Sequence, residues 1–209
     1  MKDPIFFDGL NRIRQKELNS VFRLAKRCNY ETKHSHLVTK LSLQFFDGVK
    51  ESGIQKADSR FYLLCAGILH DIGVHTEGHK KHHKTALKII LSSTILQISQ
   101  KERYLIGSIA RYHRKALPST NHDHFAVLNN SERILTAQLA GILRTCDGLD
   151  YDHRNRVTEI RVEDIQDNIQ IFCVTAYKKI NKEIRSARKK SYLFSMTFNK
   201  EIEFIPKYT

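Results

Sequence analysis

Leu69-His70-Asp71-Ile72-Gly73 marks the point where an apolar, helix-patterned run gives way to a polar, histidine-rich one. Phe61, Leu64, Cys65, Ile68 and Leu69 recur at spacings of three and four, as on a buried helical face. Neighbouring residues on a helix point about 100° apart, because a turn holds about 3.6 residues. His70 and Asp71 can converge on one point only where the helix stops, and Gly73 is the expected stop. Imidazole nitrogen beside carboxylate oxygen suits a divalent metal, whereas an isolated His-Asp pair is more often the polar cap of a helix end. The choice depends on whether ligands from elsewhere can meet this pair.

The flanking sequence predicts helices on both sides. Leu10, Ile13, Leu18, Val21, Phe22 and Ala25 form one amphipathic pattern, and Val38, Leu41, Phe45 and Val49 a second, with Thr32 as its N-cap. After a polar loop from Val74 to Lys81, a fourth helix runs from about His82 to Ser92. A fifth, on Tyr104, Leu105, Ile109 and Ala110, ends at Tyr112-His113, and Leu117 to His124 is a loop containing Pro118. Ser131 is the expected cap of a long helix through Ile134, Leu135, Gln138, Ile142 and Cys146, ending near Asp147.

Beyond Asp150 the period changes. Val157–Val162 and Ile169–Val174 alternate and are β-branched, with a polar connector from Asp164 to Asn168, which predicts a hairpin. A basic helix from about Ile180 to Met196 comes next, and Ile202–Ile205 supplies a third strand. The expected fold is mainly α. Residues 1–152 form a helical body and 153–209 a small α+β extension packed on it as one structural unit.

Composition narrows the setting. The 209 residues suffice for one substantial core, and 41% hydrophobic content is ordinary for a globular chain. No apolar run approaches the roughly 18 residues that span a bilayer. Met1-Lys2-Asp3-Pro4 lacks the layout of a secretory signal, so a cytoplasmic protein is expected. Cys28, Cys65, Cys146 and Cys173 form no CxxC pair, which argues against a disulfide framework or a structural zinc site. The net charge of +13 favours polyanionic partners without identifying them.

The eleven histidines cluster at segment ends. His34 and His36 open the second helix, His70 and Asp71 close the third, and His75, His79, His82 and His83 occupy the loop and the start of the fourth. His113 closes the fifth and Asp147 the long helix. Ligands at helix ends can share a centre in a bundle. The order His, His-Asp, His, His, Asp across separate helices is far more specific than any one member.

This order and its flanks resemble the HD superfamily of metal-dependent phosphohydrolases, and within it the C-terminal HD domain of the exopolyphosphatase/guanosine pentaphosphate phosphatase (Ppx/GppA) family. The supporting stretches are His34–Asp47, Ile68–Gly73, Ala110–Pro118 and Leu143–Asp150, with the hairpin and Lys190–Phe194 like that domain's ending. The resemblance implies an all-helical HD bundle with a divalent-metal site of one or two ions, with Mn, Mg, Fe, Co, Ni and Zn not distinguished. His34 resembles the first ligand, with His36 as the alternative; His70 and Asp71 match the central pair, and Asp147 the last. His82 and His113 occupy the positions that hold a second metal in binuclear relatives. Lys84 stands where the close family often has another histidine. Full-length members carry an actin-like phosphatase domain before this one, which bears the known catalytic site and is absent from this sequence.

The expected activity is hydrolysis of a phosphate ester or anhydride, with polyphosphate or a nucleotide as substrate. Asp71 and His113 are the catalytic candidates, Asp71 as proton acceptor. Lys84, Arg114, Lys115 and Arg144 are the candidate phosphate-binding cations. The alternative is a stand-alone polyphosphate- or nucleotide-binding module that regulates a separate phosphatase subunit, docking through the basic run from Lys178 to Lys190. That run has no aromatic platform, so nucleic-acid recognition has little support. An apolar face on the first helix offers a surface for a homodimer.

Overall fold

The computed structural model describes residues 6–49, 53–54 and 57–209; the Met1–Pro4 stretch lies outside them. The helical body comprises α1 (Arg12–Arg27), α2 (Thr32–Val49), α3 (Ser59–Leu69), a short α4 (Val74–Glu77), α5 (His82–Ser92), α6 (Gln100–Arg111), a short α7 (Asp123–Ala126) and α8 (Asn130–Leu149). The tail contributes β1 (Glu159–Ile165), β2 (Asn168–Thr175), α9 (Asn181–Lys190), α10 (Tyr192–Phe198) and β3 (Glu201–Tyr208).

Helix α3 is the axis of the body. Ten of its eleven residues are buried, Arg60 alone reaching the surface to pair with Asp47, and it packs against α1, α2, α6 and α8. A short helix with a single residue at the surface has almost no polar face to spare, so the polar groups at its C-terminal end are delivered directly to the interior. The apolar side of α1, expected to be open to a second copy, is instead spent on this core through Leu18, Val21, Phe22, Leu24 and Ala25, with Ile13 left exposed.

The tail is bound to the body by close backbone approaches. A Cβ at Gly141 would meet the Phe194 backbone at 2.9 Å, and one at Gly148 the Ala187 Cα at 2.6 Å. These two glycines let α9 and α10 lie against α8, with Phe194 stacked on Phe45 of α2 at 4.8 Å between ring centroids. The sheet has the order β1-β2-β3, with β1 and β2 antiparallel and β2 and β3 parallel. The parallel pair is possible because α9 and α10 carry the chain across between β2 and β3.

Several local expectations are corrected. Asn129, rather than Ser131, caps α8: its side chain accepts from the Glu132 N–H and Glu132 reaches back, completing a capping box, while the Ser131 hydroxyl donates to Asn129 Oδ1 at 2.9 Å. The basic helix is two helices separated at Ser191. The polar loop contains α4 and a 3-10 turn, Gly78–Lys80. Gly73 does not end α3, which stops at Leu69, and its φ of −82° is open to any residue. Space is what requires glycine here: a Cβ at Gly73 would lie 2.3 Å from the His82 carbonyl oxygen.

Gly73→Ala therefore forces α5 away from the turn after α3. The expected cost is about 1–3 kcal/mol, or about 2–4 °C of melting temperature per kcal/mol for a chain of this size. A thermal melt of the variant beside wild type checks it, and an unchanged midpoint would refute this close approach.

Candidate metal centre

Two groups of side chains meet at Asp71. In the first, His34 enters from the first turn of α2 and is fully buried. Its Nε2 lies 3.3 Å from His70 Nε2, 3.4 Å from Asp147 Oδ1 and 3.7 Å from Asp71 Oδ2. In the second, His82 from the start of α5 and His113 from the end of α6 bring their Nε2 atoms within 3.1 Å of each other. They lie 3.0 and 3.5 Å from Asp71 Oδ1. His34, His70 and Asp147 are close enough to share one ion, as are Asp71, His82 and His113.

The backbone fixes the tautomers. His70 Nδ1 lies 2.7 Å from the Gly67 carbonyl, and His113 Nδ1 lies 2.6 Å from the Ala110 carbonyl. Each histidine sits just past its helix and uses a carbonyl three residues back, one of the acceptors that a helix end leaves free. A carbonyl oxygen only accepts, so both Nδ1 atoms carry the proton and both Nε2 atoms present a lone pair. His34 is fixed in the same sense by Asp150, whose Oδ2 accepts from Nδ1 at 2.8 Å. Carboxylate or carbonyl partners on the far nitrogen are the usual way a metal-ligating imidazole is oriented.

The electrostatics fit a cation. Asp71 Oδ1 is buried without a hydrogen bond, while the lone pairs of His70 and His113 face it at 3.7 and 3.5 Å. Burial pushes the His70 and His113 imidazoles below their ordinary range. Burial also opposes the charge on the carboxyls, but His70, His82 and His113 outweigh it at Asp71, and Lys190 and His34 outweigh it at Asp147. Both carboxyls thus stay well below the usual carboxylate range. Lone pairs and anionic oxygens converging in a buried space need a positive charge between them.

His34 can supply part of that charge as a proton. Burial would lower the His34 imidazole, yet Asp147 and Asp150 overcome it and raise its pKa from 6.5 to about 10. The proton sits on Nε2, the atom aimed at the other ligands.

Three further residues complete the centre. Asp150, one turn beyond Asp147, holds His34, and the Asp-x-x-Asp spacing was its only trace in the sequence. His153, in the left-handed region at φ 56°, stacks on His34 at 3.7 Å and 4° and donates Nδ1–H to Glu31 at 2.7 Å. It forms a third possible metal group with His34 and Asp71. Lys190 at the end of α9 reaches Asp147 Oδ2 at 2.5 Å.

A cleft of about 920 Å³ opens onto the centre, and Arg114, Lys115, Arg144, Lys189 and Lys190 line it. Arg144 is engaged by the backbone, donating to the carbonyls of Tyr112, Lys115 and Ala116 at 2.9–3.4 Å. It clamps the turn that presents Arg114 and Lys115, where Lys115 takes a φ of 63°. Lys84 is elsewhere: two residues after His82 it points about 200° around α5 and lines a different pocket with Arg111. His36 is also elsewhere, bonded to the Tyr30 hydroxyl at 2.9 Å and packed against Phe6 and Phe22. His79 lines the cleft and His75 is exposed. His83 is buried beside Arg111, and burial with that charge lowers it to about 4.

Two measurements test this arrangement. Asp150→Asn should weaken metal binding about 10–100-fold in a chelator competition while leaving the circular dichroism spectrum unchanged. Because a metal must displace the His34 proton, whose pKa is about 10, apparent affinity should fall about tenfold for each pH unit below that value. A pH-independent affinity between pH 6 and 9 would rule out proton competition at His34.

Among known protein families, the one described as Ppx/GppA phosphatase, domain III matches residues 13–187. That span runs from α1 into α9 and contains His34, His70, Asp71, His82, His113 and Asp147. The chain belongs to the Ppx/GppA phosphatase family, in the part described as its domain III.

Proposed function

We propose that the protein is a divalent-metal-dependent phosphohydrolase acting on a phosphate ester or anhydride, with polyphosphate or a nucleotide as substrate. The observation that carries this reading is Asp71. Its Oδ2 lies 3.7 Å from His34 Nε2, and its Oδ1 lies 3.0, 3.5 and 3.7 Å from the Nε2 atoms of His82, His113 and His70, so one carboxylate touches both groups. His34, His70, Asp71 and Asp147 would hold the first ion, and Asp71, His82 and His113 a second. Nitrogen and oxygen donors together suit Mn, Fe, Co, Ni or Zn, with Mg a poorer match. When bound, a divalent ion there supplies Lewis-acid polarisation of a phosphoryl oxygen and acidifies water.

The chain's own groups do the rest. Arg114, Lys115 and Lys189 at the cleft wall attract the phosphate chain and orient it. Lys190 neutralises Asp147 and presents its remaining N–H bonds to the cleft, where they can meet charge on the transferring phosphoryl group. With only the first ion held, Asp71 Oδ1 is left to accept a proton, and His113, kept in one tautomer by Ala110, has its Nε2 free toward the reacting atoms. The setting proposed is the cytoplasm. Among the described residues no helix is long and apolar enough to cross a membrane.

Elemental analysis of the purified protein, with a phosphate-release panel of polyphosphate, nucleoside triphosphates and phosphomonoesters, tests the reading. Wild type should retain metal and release phosphate with at least one of Mn²⁺, Co²⁺, Ni²⁺ or Mg²⁺. Asp71→Asn should lose both. Lys190→Met should keep the metal and lower the release rate by about 10²-fold. A wild-type protein without metal and without turnover on every substrate sinks the proposal.

A further inference from the structure

Helices α5 and α6 carry a second polar cluster that the metal centre does not use. Arg111, the last residue of α6, is 5% exposed, and its Nη1 is buried without a hydrogen-bond partner. Among the described residues its guanidinium forms no ion pair with a carboxylate, and the Tyr112 ring lies 5.7 Å away. An arginine cannot shed its proton in a protein, and a buried, uncompensated charge is strongly unfavourable. The surroundings add to the imbalance. A cavity of about 500 Å³ is lined by Arg111, Lys84, Lys88, His122 and His124, and its one carboxylate among the described residues, Asp123, is exposed.

Apart from Asn121, the rest of the wall is apolar. Leu87, Leu91, Tyr104 and Val127 also line the cavity. Cations and apolar side chains lining one cavity select for charge and apolar surface together. His122 is anchored by the Tyr112 hydroxyl at 2.7 Å and His124 by Ser108 at 2.9 Å, so the polar rim is fixed before any ligand arrives. This cavity and the metal cleft share no lining residue.

We propose that this cavity is a second anion site, which binds a phosphate monoester carrying a flat apolar group: Arg111, Lys84 and Lys88 hold the phosphate, and Leu87 and Tyr104 hold the body. The site requires neither a metal nor hydrolysis, so it stands or falls independently of the activity proposed above.

Phenylphosphonate, a monoester analogue that cannot be hydrolysed, is the probe, titrated calorimetrically into the full-length chain. The first variant, Arg114→Glu with Lys189→Glu, disables the metal cleft and should still bind the probe saturably. Adding Lys84→Glu and Lys88→Glu should weaken that binding by about tenfold or more. Both lysines are exposed, so their reversal leaves the core intact where replacing buried Arg111 would disturb it. The proposal is overturned if the cleft variant does not bind the probe, or if reversing the two lysines costs less than about tenfold.

Discussion

Asp71 Oδ1 is the constraint on which the structure turns. It is an anionic oxygen, buried without a hydrogen bond, with imidazole nitrogens at 3.0, 3.5 and 3.7 Å. Left alone, such a group would be among the costliest in the fold, since burial strips its water and no donor replaces it. The arrangement is tolerable because the neighbours are tuned as a set. Gly67 and Ala110 hold two imidazoles with lone pairs inward, and Asp150 and Lys190 fix His34 and Asp147 from outside. Every one of these outer contacts orients a side chain that would otherwise be free to turn away. A polar cluster of this kind is stable when complete and unfavourable when partial, which makes a cation part of the structural problem as well as of the chemistry.

The helices serve that cluster through their ends. His34 opens α2, His70 and Asp71 lie just past α3, His82 opens α5, His113 lies just past α6, and Asp147 is in the last turn of α8. A residue within a helix is tied to the face that its position dictates, whereas one just past the end can turn inward and borrow a spare carbonyl. Gly73 extends the same logic, because its missing Cβ allows the turn after α3 to lie against the first turn of α5. Ligands from the two elements can then reach one another. The enclosed α3 sets the location: with only Arg60 at the surface, its C-terminal end releases His70 and Asp71 inside the body.

Much of this was legible in the sequence because its period is strong. The 3.6-residue pattern located the main helices, the alternation after Asp150 located the hairpin, and histidines at pattern ends located the centre. What escaped depended on tertiary geometry. Lys190 sits in a basic run that reads as a solvated face, and only the docking of α9 on α8 at Gly148 carries it to Asp147, 43 positions away. His153 lies beyond the last helix of the body and owes its place to a left-handed backbone that histidine adopts only occasionally. Lys84 shows the converse. Proximity to His82 in the chain suggested a shared site, but two residues on a helix are nearly opposite in direction. The cap of α8 was misplaced by two positions because Asn129 and Ser131 are both good cap residues, and Glu132, three after Asn129, decides between them.

The same distinction applies to the charge. A net +13 is not one uniform field, because many of the cations are already committed. Arg14 lies between Glu17, Asp58 and Glu102 at 2.7–2.9 Å, and stacks over Phe61 at 4.4 Å, as an internal brace. Arg144 holds backbone carbonyls, and Lys190 holds Asp147. Arg114, Lys115 and Lys189 remain around the metal cleft, with Lys84, Lys88 and Arg111 around the second cavity. In the first set the cations face a carboxylate-rich centre that a divalent ion would neutralise, so the field an incoming phosphate meets depends on the metal. In the second set the only carboxylate at the wall among the described residues is the exposed Asp123, and the field is present from the start. The two cationic surfaces therefore differ in kind: the field of one would depend on metal loading, and that of the other is built into the fold.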